Sequence, residues 1–147
     1  AHLQVDCIDP EMPTSLSSKA YQMLREELKF KKIIVTDDME MKAISDRYSY
    51  GEAATLALKA GADVVEYRSM DACKEALEGV KEAYKKKELL KKEVDEKLDR
   101  INQVKKSYLS EYNILYIPDV EKSLGSSEHK MFLTDLQNLI DTKKSST

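Results

Sequence analysis

Cysteine is scarce in this sequence of 147 residues, and the two that occur, Cys7 and Cys73, lie far apart. Neither belongs to a CxxC pair, and no histidine cluster could complete a tetrahedral zinc site with them. We therefore expect no metal site and no cofactor, in a reduced, cytoplasmic-type protein. The chain opens with Ala1 rather than an initiator methionine, so this expectation concerns only the residues printed here.

Long apolar runs and a charge excess are also missing. No stretch approaches the roughly 20 apolar residues of a membrane span. Lysine and arginine total 24 against 27 acidic residues, for a formal charge of −3. This near balance argues against a dedicated nucleic-acid binder or a polybasic membrane surface. We expect neither nucleic acid nor membrane as a partner.

The composition, with 41% hydrophobic and 35% charged residues, predicts a folded domain with a true core. The boundary signals along the sequence, which are its prolines, glycines and helix-capping residues, indicate strands that alternate with helices. Residues 1–14 are interpreted as the end of a strand running into a loop, and Ser17 or Ser18 can cap the helix that follows. Residues 33–35 form a short run of β-branched side chains, which is typical of a parallel strand buried on both faces.

A capping box, Ser49 with Glu52, predicts the start of the next helix, and Gly61 predicts its end. A strand over 62–67 and two amphipathic helices, around 73–84 and 94–108, complete the pattern. Strands that alternate with helices indicate a parallel α/β fold. We expect a final section, 109–147, to carry a terminal helix that turns four apolar side chains inward: Phe132, Leu136, Leu139 and Ile140.

An acidic cluster directly follows the strand at 33–35. The sequence there is Thr36-Asp37-Asp38-Met39-Glu40-Met41. Functional side chains of parallel β-α folds gather just past the carboxyl ends of strands, so one of these carboxylates could be a nucleophile, a base or a metal ligand. Asp37 and Asp38 could equally be turn residues and helix caps.

These segments, in this order, resemble glycoside hydrolase family 3, most closely the bacterial β-N-acetylhexosaminidases. The resemblance runs from residue 1 to about 130. The matching pieces are Ala1-His2, Pro13-Thr14-Ser15-Leu16-Ser17, Leu24-Arg25-Glu26, Ile33 to Met41, Glu52-Ala53-Ala54, Ala60-Gly61-Ala62-Asp63, Val94-Asp95-Glu96, Arg100-Ile101 and Gly125 to His129.

The resemblance implies the last β-α units, about strands 6–8, of a (β/α)8 barrel over 1–108, with a post-barrel segment of extra helices over 109–147. A complete barrel needs about 250 residues. By the same resemblance, Asp37 is the nucleophile of a retaining glycosidase, and His2, Asp38 and Met41 line the substrate site. The resemblance implies a substrate with a terminal β-linked sugar, namely an N-acetylglucosaminide, and β-glucosides are the alternative.

Two departures from the family pattern stand out. Lys29-Phe30-Lys31-Lys32 replaces the usual Gly-Phe-x-Gly ahead of the nucleophile strand, which removes the glycine expected in that turn. Nothing in the sequence matches the Asp-His acid/base segment, and strands one to five are missing. We expect the isolated chain to be inactive, and to pair its exposed strand edges with the missing barrel half or with itself.

Two other classes of function fit parts of the pattern. Residues 33–38 also resemble the first strand and acidic pair of a receiver domain, but Val64-Val65 is followed by Glu66 and Tyr67 rather than by a phosphoacceptor aspartate. The third interpretation is a non-catalytic α/β module with a structural or interaction role.

Overall fold

The computed structural model describes residues 2–111 and 117–144, apart from the side chains of Glu121 and Lys144. The chain divides into two compact units, Ala1–Ser110 and Glu111–Thr147. The first unit is helix-rich α/β. Its elements are α1 (Ser18–Gln22, continued by a π-helical turn, Met23–Glu27), β1 (Val35–Asp38), α2 (Lys42–Ser45), α3 (Tyr50–Ala60), β2 (Val64–Glu66), α4 (Met70–Lys85) and α5 (Lys91–Leu109).

The sheet of the described residues has two strands, and β1 and β2 run parallel, as the alternation of strands and helices predicts. The β1 strand begins two residues later than expected. Its predicted burial on both faces is wrong, because Val35 is 51% exposed. A strand is covered on both faces only when helices and neighbouring strands surround it, and in the described residues β1 has one strand neighbour.

The strand expected at the beginning of the chain is not formed in residues 2–14. Val5 makes one isolated antiparallel bridge with Asp9. The Asp9 carboxylate accepts hydrogen bonds from the Ser17 hydroxyl, at 2.6 Å, and from the Glu11 main-chain N–H, at 3.2 Å. Local turns and side chains therefore provide hydrogen-bond partners in this segment, where we expected a third parallel strand.

The helix α1 starts where the sequence predicts, because the Ser17 side chain accepts a hydrogen bond from Ala20 N–H. Past the π-helical turn, the Phe30 N–H reaches back six residues to the Leu24 carbonyl at 2.9 Å, one residue farther than in a Schellman cap. Lys29, which directly precedes Phe30, has a φ of 53°. At a position where the family pattern has glycine, a lysine therefore adopts the left-handed conformation.

The helix α3 begins at the predicted capping box and ends at Gly61, whose φ is 137°. It packs against α4 at a pair of glycines. A Cβ added to Gly79 would lie 2.4 Å from the Gly51 Cα, so the two backbones touch where these residues cross. Side chains at either position would separate the helices.

The core lies between α1, α3 and the sheet. Met39 and Ile44, which flank the start of α2, have no exposed surface and anchor the segment after β1. The buried cluster as a whole is apolar and consists of Leu16, Tyr21, Met39, Ile44, Ala53, Ala57 and Ala62. The segment that follows β1 is therefore fixed to the core by the close packing of Met39 and Ile44.

The second unit contains α6 (Ile117–Ser123) and α7 (Ser127–Lys144). The terminal helix was predicted, but the inward orientation of its four apolar side chains is wrong. Phe132, Leu136, Leu139 and Ile140 are all exposed, since two helices alone provide no layer to cover them. No helix within residues 2–111 or 117–144 combines the length and apolar character needed to cross a bilayer.

Candidate active site

The carboxyl end of β1 carries the candidate site, and an irregularity in the strand shapes it. Val35 pairs with Val64 and Asp38 pairs with Glu66, so three steps along β1 match two steps along β2. An extra residue of this kind re-aims the side chains around it. The hydroxyl of Thr36 accepts the Glu66 N–H at 3.1 Å and so replaces a main-chain acceptor in the ladder.

Asp37 follows the buried Thr36 and is exposed. One oxygen of its carboxylate, Oδ1, accepts the main-chain N–H of Asp38 at 2.9 Å. The residue lies at the rim of a cavity of about 310 Å³, which Ser15 and Thr36 also line. The carboxylate of Asp37 is thus exposed to solvent beside this cavity.

Asp38 makes the densest set of contacts at this end of the strand. Its main-chain carbonyl accepts hydrogen bonds from His2 Nε2, at 2.8 Å, and from the Met41 N–H, at 3.1 Å. Its carboxylate accepts the Arg68 Nε at 2.6 Å and the Glu40 N–H at 2.9 Å. The last bond is the Asx-type turn that the alternative interpretation of this acidic pair proposed.

Glu40 forms a second link to the segment after β2. Its carboxylate accepts the main-chain N–H of Ser69 at 2.6 Å and the Ser69 hydroxyl at 3.0 Å. These bonds, the main-chain one foremost, hold the pKa of Glu40 below its ordinary value, with a smaller contribution from the charge of Arg68. Ser69 is also the N-cap of α4. The loop after β1 is therefore tied to the start of α4.

The structure brings the four predicted site residues together around the main chain of Asp38. Hydrogen bonds join His2 and Met41 to Asp38, and Asp37 is its neighbour in sequence. The Met41 side chain is exposed, and its main-chain N–H makes the contact with Asp38. The predicted role of these residues in binding substrate stays a prediction.

Sequence reasoning missed Arg68 and Ser69 as partners of the acidic loop. Both lie within three residues of the end of β2. Because the carboxyl ends of adjacent parallel strands meet at one edge of a sheet, their position could have indicated a contact with the acidic loop. It also missed Ser15, because a serine hydroxyl carries no distinctive spacing. Ser15 is buried and its Oγ lies 2.6 Å from His2 Nδ1.

Comparison with known proteins assigns the family. Residues 1–104 match the description "Glycosyl hydrolase family 3 N terminal domain", which covers more than half of the sequence. The chain therefore belongs to glycosyl hydrolase family 3, and the predicted family membership is confirmed.

Individual relatives agree with this assignment. A beta-hexosaminidase of Photobacterium profundum is 37% identical over 65 residues, which are 44% of this chain and 20% of that protein. A family 3 β-N-acetylglucosaminidase from Paenibacillus sp. str. FPU-7 superimposes with a TM-score of 0.75 at 29% identity, over 79% of this chain and 23% of the other.

The β-N-acetylglucosaminidase from Thermotoga maritima superimposes with a TM-score of 0.66 at 26% identity, over 70% of this chain and 23% of its own. This chain thus spans about a fifth to a quarter of the length of these relatives. The family match, residues 1–104, includes the predicted nucleophile segment.

Proposed function

We propose that this chain supplies the nucleophile segment of a retaining glycoside hydrolase that acts on terminal β-linked N-acetylglucosaminides. Asp37 is the nucleophile. The observation that carries the proposal is the position of this residue, an exposed carboxylate at the carboxyl end of a parallel strand, in a chain that belongs to glycosyl hydrolase family 3.

The chemistry requires a carboxylate that attacks carbon. In a retaining reaction an oxygen of Asp37 forms a bond to the anomeric carbon while the bond to the leaving oxygen breaks, and a separate acid protonates that oxygen. Water, deprotonated by the same group, then breaks the glycosyl-enzyme bond and returns Asp37 as a carboxylate. The family resemblance assigns the nucleophile to the aspartate directly after Thr36, which is Asp37, and the carboxylate of its neighbour Asp38 is bound by the Arg68 guanidinium.

The substrate is inferred from the relatives. The Photobacterium relative is a hexosaminidase, and the Paenibacillus and Thermotoga proteins are β-N-acetylglucosaminidases. Terminal β-linked N-acetylglucosamine is the sugar these names share. A β-glucoside is the alternative substrate in the test below.

We further propose that the two strands β1 and β2 are the last strands of a (β/α)8 barrel and need its remaining strands to catalyse. The two-stranded sheet and the exposed Val35 support this, because a barrel strand is covered on both sides. The acid/base segment belongs to the part that residues 1–147 do not supply. A general acid contributes about 10² to 10⁴ in rate, so these residues alone should show no measurable turnover.

The experiment supplies the rest of the barrel. This chain is co-expressed with the barrel segments that it does not cover, taken from the Paenibacillus β-N-acetylglucosaminidase. The purified assembly is then assayed with chromogenic β-N-acetylglucosaminide and β-glucoside. We expect hydrolysis of the first substrate by the assembly and none by the chain alone.

The nucleophile is tested in the same assembly with a matched pair of variants. Asp37→Asn should reduce kcat by at least about 10⁴, in line with the loss of other catalytic carboxylates and nucleophiles. Asp71→Asn, on the exposed face of α4, should leave it unchanged. An active Asp37→Asn assembly, or an active isolated chain, would contradict the proposal.

A further inference from the structure

The ring of His2 uses both of its nitrogens within the protein. Nδ1 lies 2.6 Å from the hydroxyl of Ser15, and Nε2 lies 2.8 Å from the main-chain carbonyl oxygen of Asp38. The imidazole therefore spans the segment before α1 and the end of β1. A histidine that binds sugar directly would need one of these nitrogens for the ligand.

The partners determine the tautomer. A carbonyl oxygen has no hydrogen to donate, so Nε2 must carry the proton that joins His2 to Asp38. In the neutral ring Nδ1 then accepts a hydrogen bond from the Ser15 hydroxyl. Ser15 is itself fixed, because it is buried and its main-chain carbonyl accepts the Tyr21 hydroxyl at 2.9 Å.

The carbonyl that His2 contacts has a second donor. Met41 N–H also binds the Asp38 oxygen, at 3.1 Å. Two donors on one carbonyl restrain the peptide plane that follows Asp38, and this plane is one residue away from the Asp37 backbone. A shift of about 1 Å in a reacting group can cost 10²-fold in rate, so this restraint bears directly on catalysis.

We infer that His2 is a positioning residue, which holds the main chain beside Asp37 through the Asp38 carbonyl, and that it does not bind the sugar. This rests on the proposed nucleophile role of Asp37. The Nε2 contact does the positioning, while the Nδ1 contact orients the ring.

Substitution of His2 by glutamine or by asparagine tests the two contacts one at a time. The NH₂ group of glutamine reaches about as far as Nε2 of histidine, and that of asparagine about as far as Nδ1. His2→Gln should therefore retain the bond to Asp38, whereas His2→Asn should lose it and keep the contact with Ser15. A role for His2 in folding alone would not distinguish the two variants in this direction.

The first readout uses the isolated chain. Long-range nitrogen–proton correlations of the His2 ring should show the neutral form protonated at Nε2. Hydrogen exchange of the Met41 amide should be unchanged in His2→Gln and at least about tenfold faster in His2→Asn. Protonation at Nδ1, or equal exchange in the two variants, would overturn the inference.

The second readout is kinetic, in the assembly completed with the Paenibacillus barrel segments. We expect His2→Asn to reduce kcat at least about tenfold with little change in KM, and His2→Gln to stay within about threefold of the parent in both. A raised KM at unchanged kcat would instead assign His2 to the substrate and contradict the inference. An inactive parent assembly would count against the proposed function, while the ring and exchange data would still decide the role of His2.

Discussion

Arg25 and Asp63 form an ion pair of 2.5 Å between the π-helical turn and the start of β2. The Asp63 side chain has no exposed surface. It also accepts the Ile34 N–H at 2.8 Å and the Nε of Arg100, from α5, at 2.8 Å. One buried carboxylate thus links the residues that directly precede both strands to the π-helical turn and to α5, and it lies at the opposite end of the strands from Asp37.

Removal of this carboxylate should destabilise the chain strongly. Asp63→Ala leaves two guanidinium groups without their buried partner, and breaking a buried pair in this way costs about 3–5 kcal/mol. Urea unfolding followed by circular dichroism measures the change. Asp71→Ala is the matched control, because the Asp71 side chain is 97% exposed, and it should change the free energy of unfolding by less than about 0.5 kcal/mol. Equal effects would show that the network around Asp63 is not structural.

The close contact between α3 and α4 predicts the sign of the stability change when Gly79 is replaced by alanine. In an exposed helix, glycine to alanine stabilises by about 1 kcal/mol. Gly79→Ala should instead destabilise by about 1–3 kcal/mol, because its Cβ would lie 2.4 Å from the Gly51 Cα. A smaller loss is expected for Gly51→Ala, whose Cβ would lie 3.1 Å from the Gly79 Cα. A rise in melting temperature for Gly79→Ala would contradict the close packing.

The Thr36 hydroxyl should be needed for the shape of the site. Thr36→Val has a similar shape but leaves the Glu66 N–H without its acceptor, at a cost of about 1–3 kcal/mol. Thr36→Ser retains the hydroxyl and should cost less than Thr36→Val. Thermal unfolding ranks the two variants, and a Val variant as stable as the Ser variant would show that the hydroxyl does not complete the ladder.

Lys29 occupies a backbone conformation that favours glycine, with φ 53°. Lys29→Gly should stabilise by up to about 1 kcal/mol, since the left-handed conformation costs other residues about 1–2 kcal/mol and glycine loses part of this gain in the unfolded chain. Lys32→Gly in the same loop, where φ is not positive, should be neutral or destabilising. Differential scanning calorimetry compares them, and loss of stability in Lys29→Gly would be the contrary result.

Glu40 should contribute to the acid limb of the stability curve. Its folded pKa is lowered by the bonds from Ser69, so its contribution is complete above the ordinary value of 4.5 and is lost as the pH falls through the folded pKa. We therefore expect Glu40→Gln to lower stability at neutral pH and to make the loss of stability on acidification less steep. Denaturation midpoints between pH 7 and pH 3 measure both, and parallel curves would contradict the prediction.

The sequence predicted those features that depend on local chemistry. The Ser17 cap, the capping box of Ser49 with Glu52 and the end of α3 at Gly61 each follow from a few adjacent residues, and each is confirmed. The acidic residues at the carboxyl end of β1 were located by the general rule that functional side chains of parallel β-α folds gather there. These signals needed no knowledge of distant contacts.

The features that failed depend on what surrounds a segment. Val35 was predicted to be buried, but its burial depends on neighbours that the described residues do not provide. Phe132 and Ile140 show the right helical period, and a period cannot tell whether anything covers the face it creates. The link between Asp38 and Arg68 spans 30 positions and was not apparent from spacing.

The most direct test of the central claim is to trap the covalent intermediate. The completed assembly is treated with a fluorinated N-acetylglucosaminyl donor whose glycosyl-enzyme hydrolyses slowly, then digested and examined by mass spectrometry. We predict a single glycosyl adduct on the Asp37 carboxylate, and its absence in Asp37→Asn. An adduct on Asp38 or any other residue would contradict the assignment of Asp37 as the nucleophile.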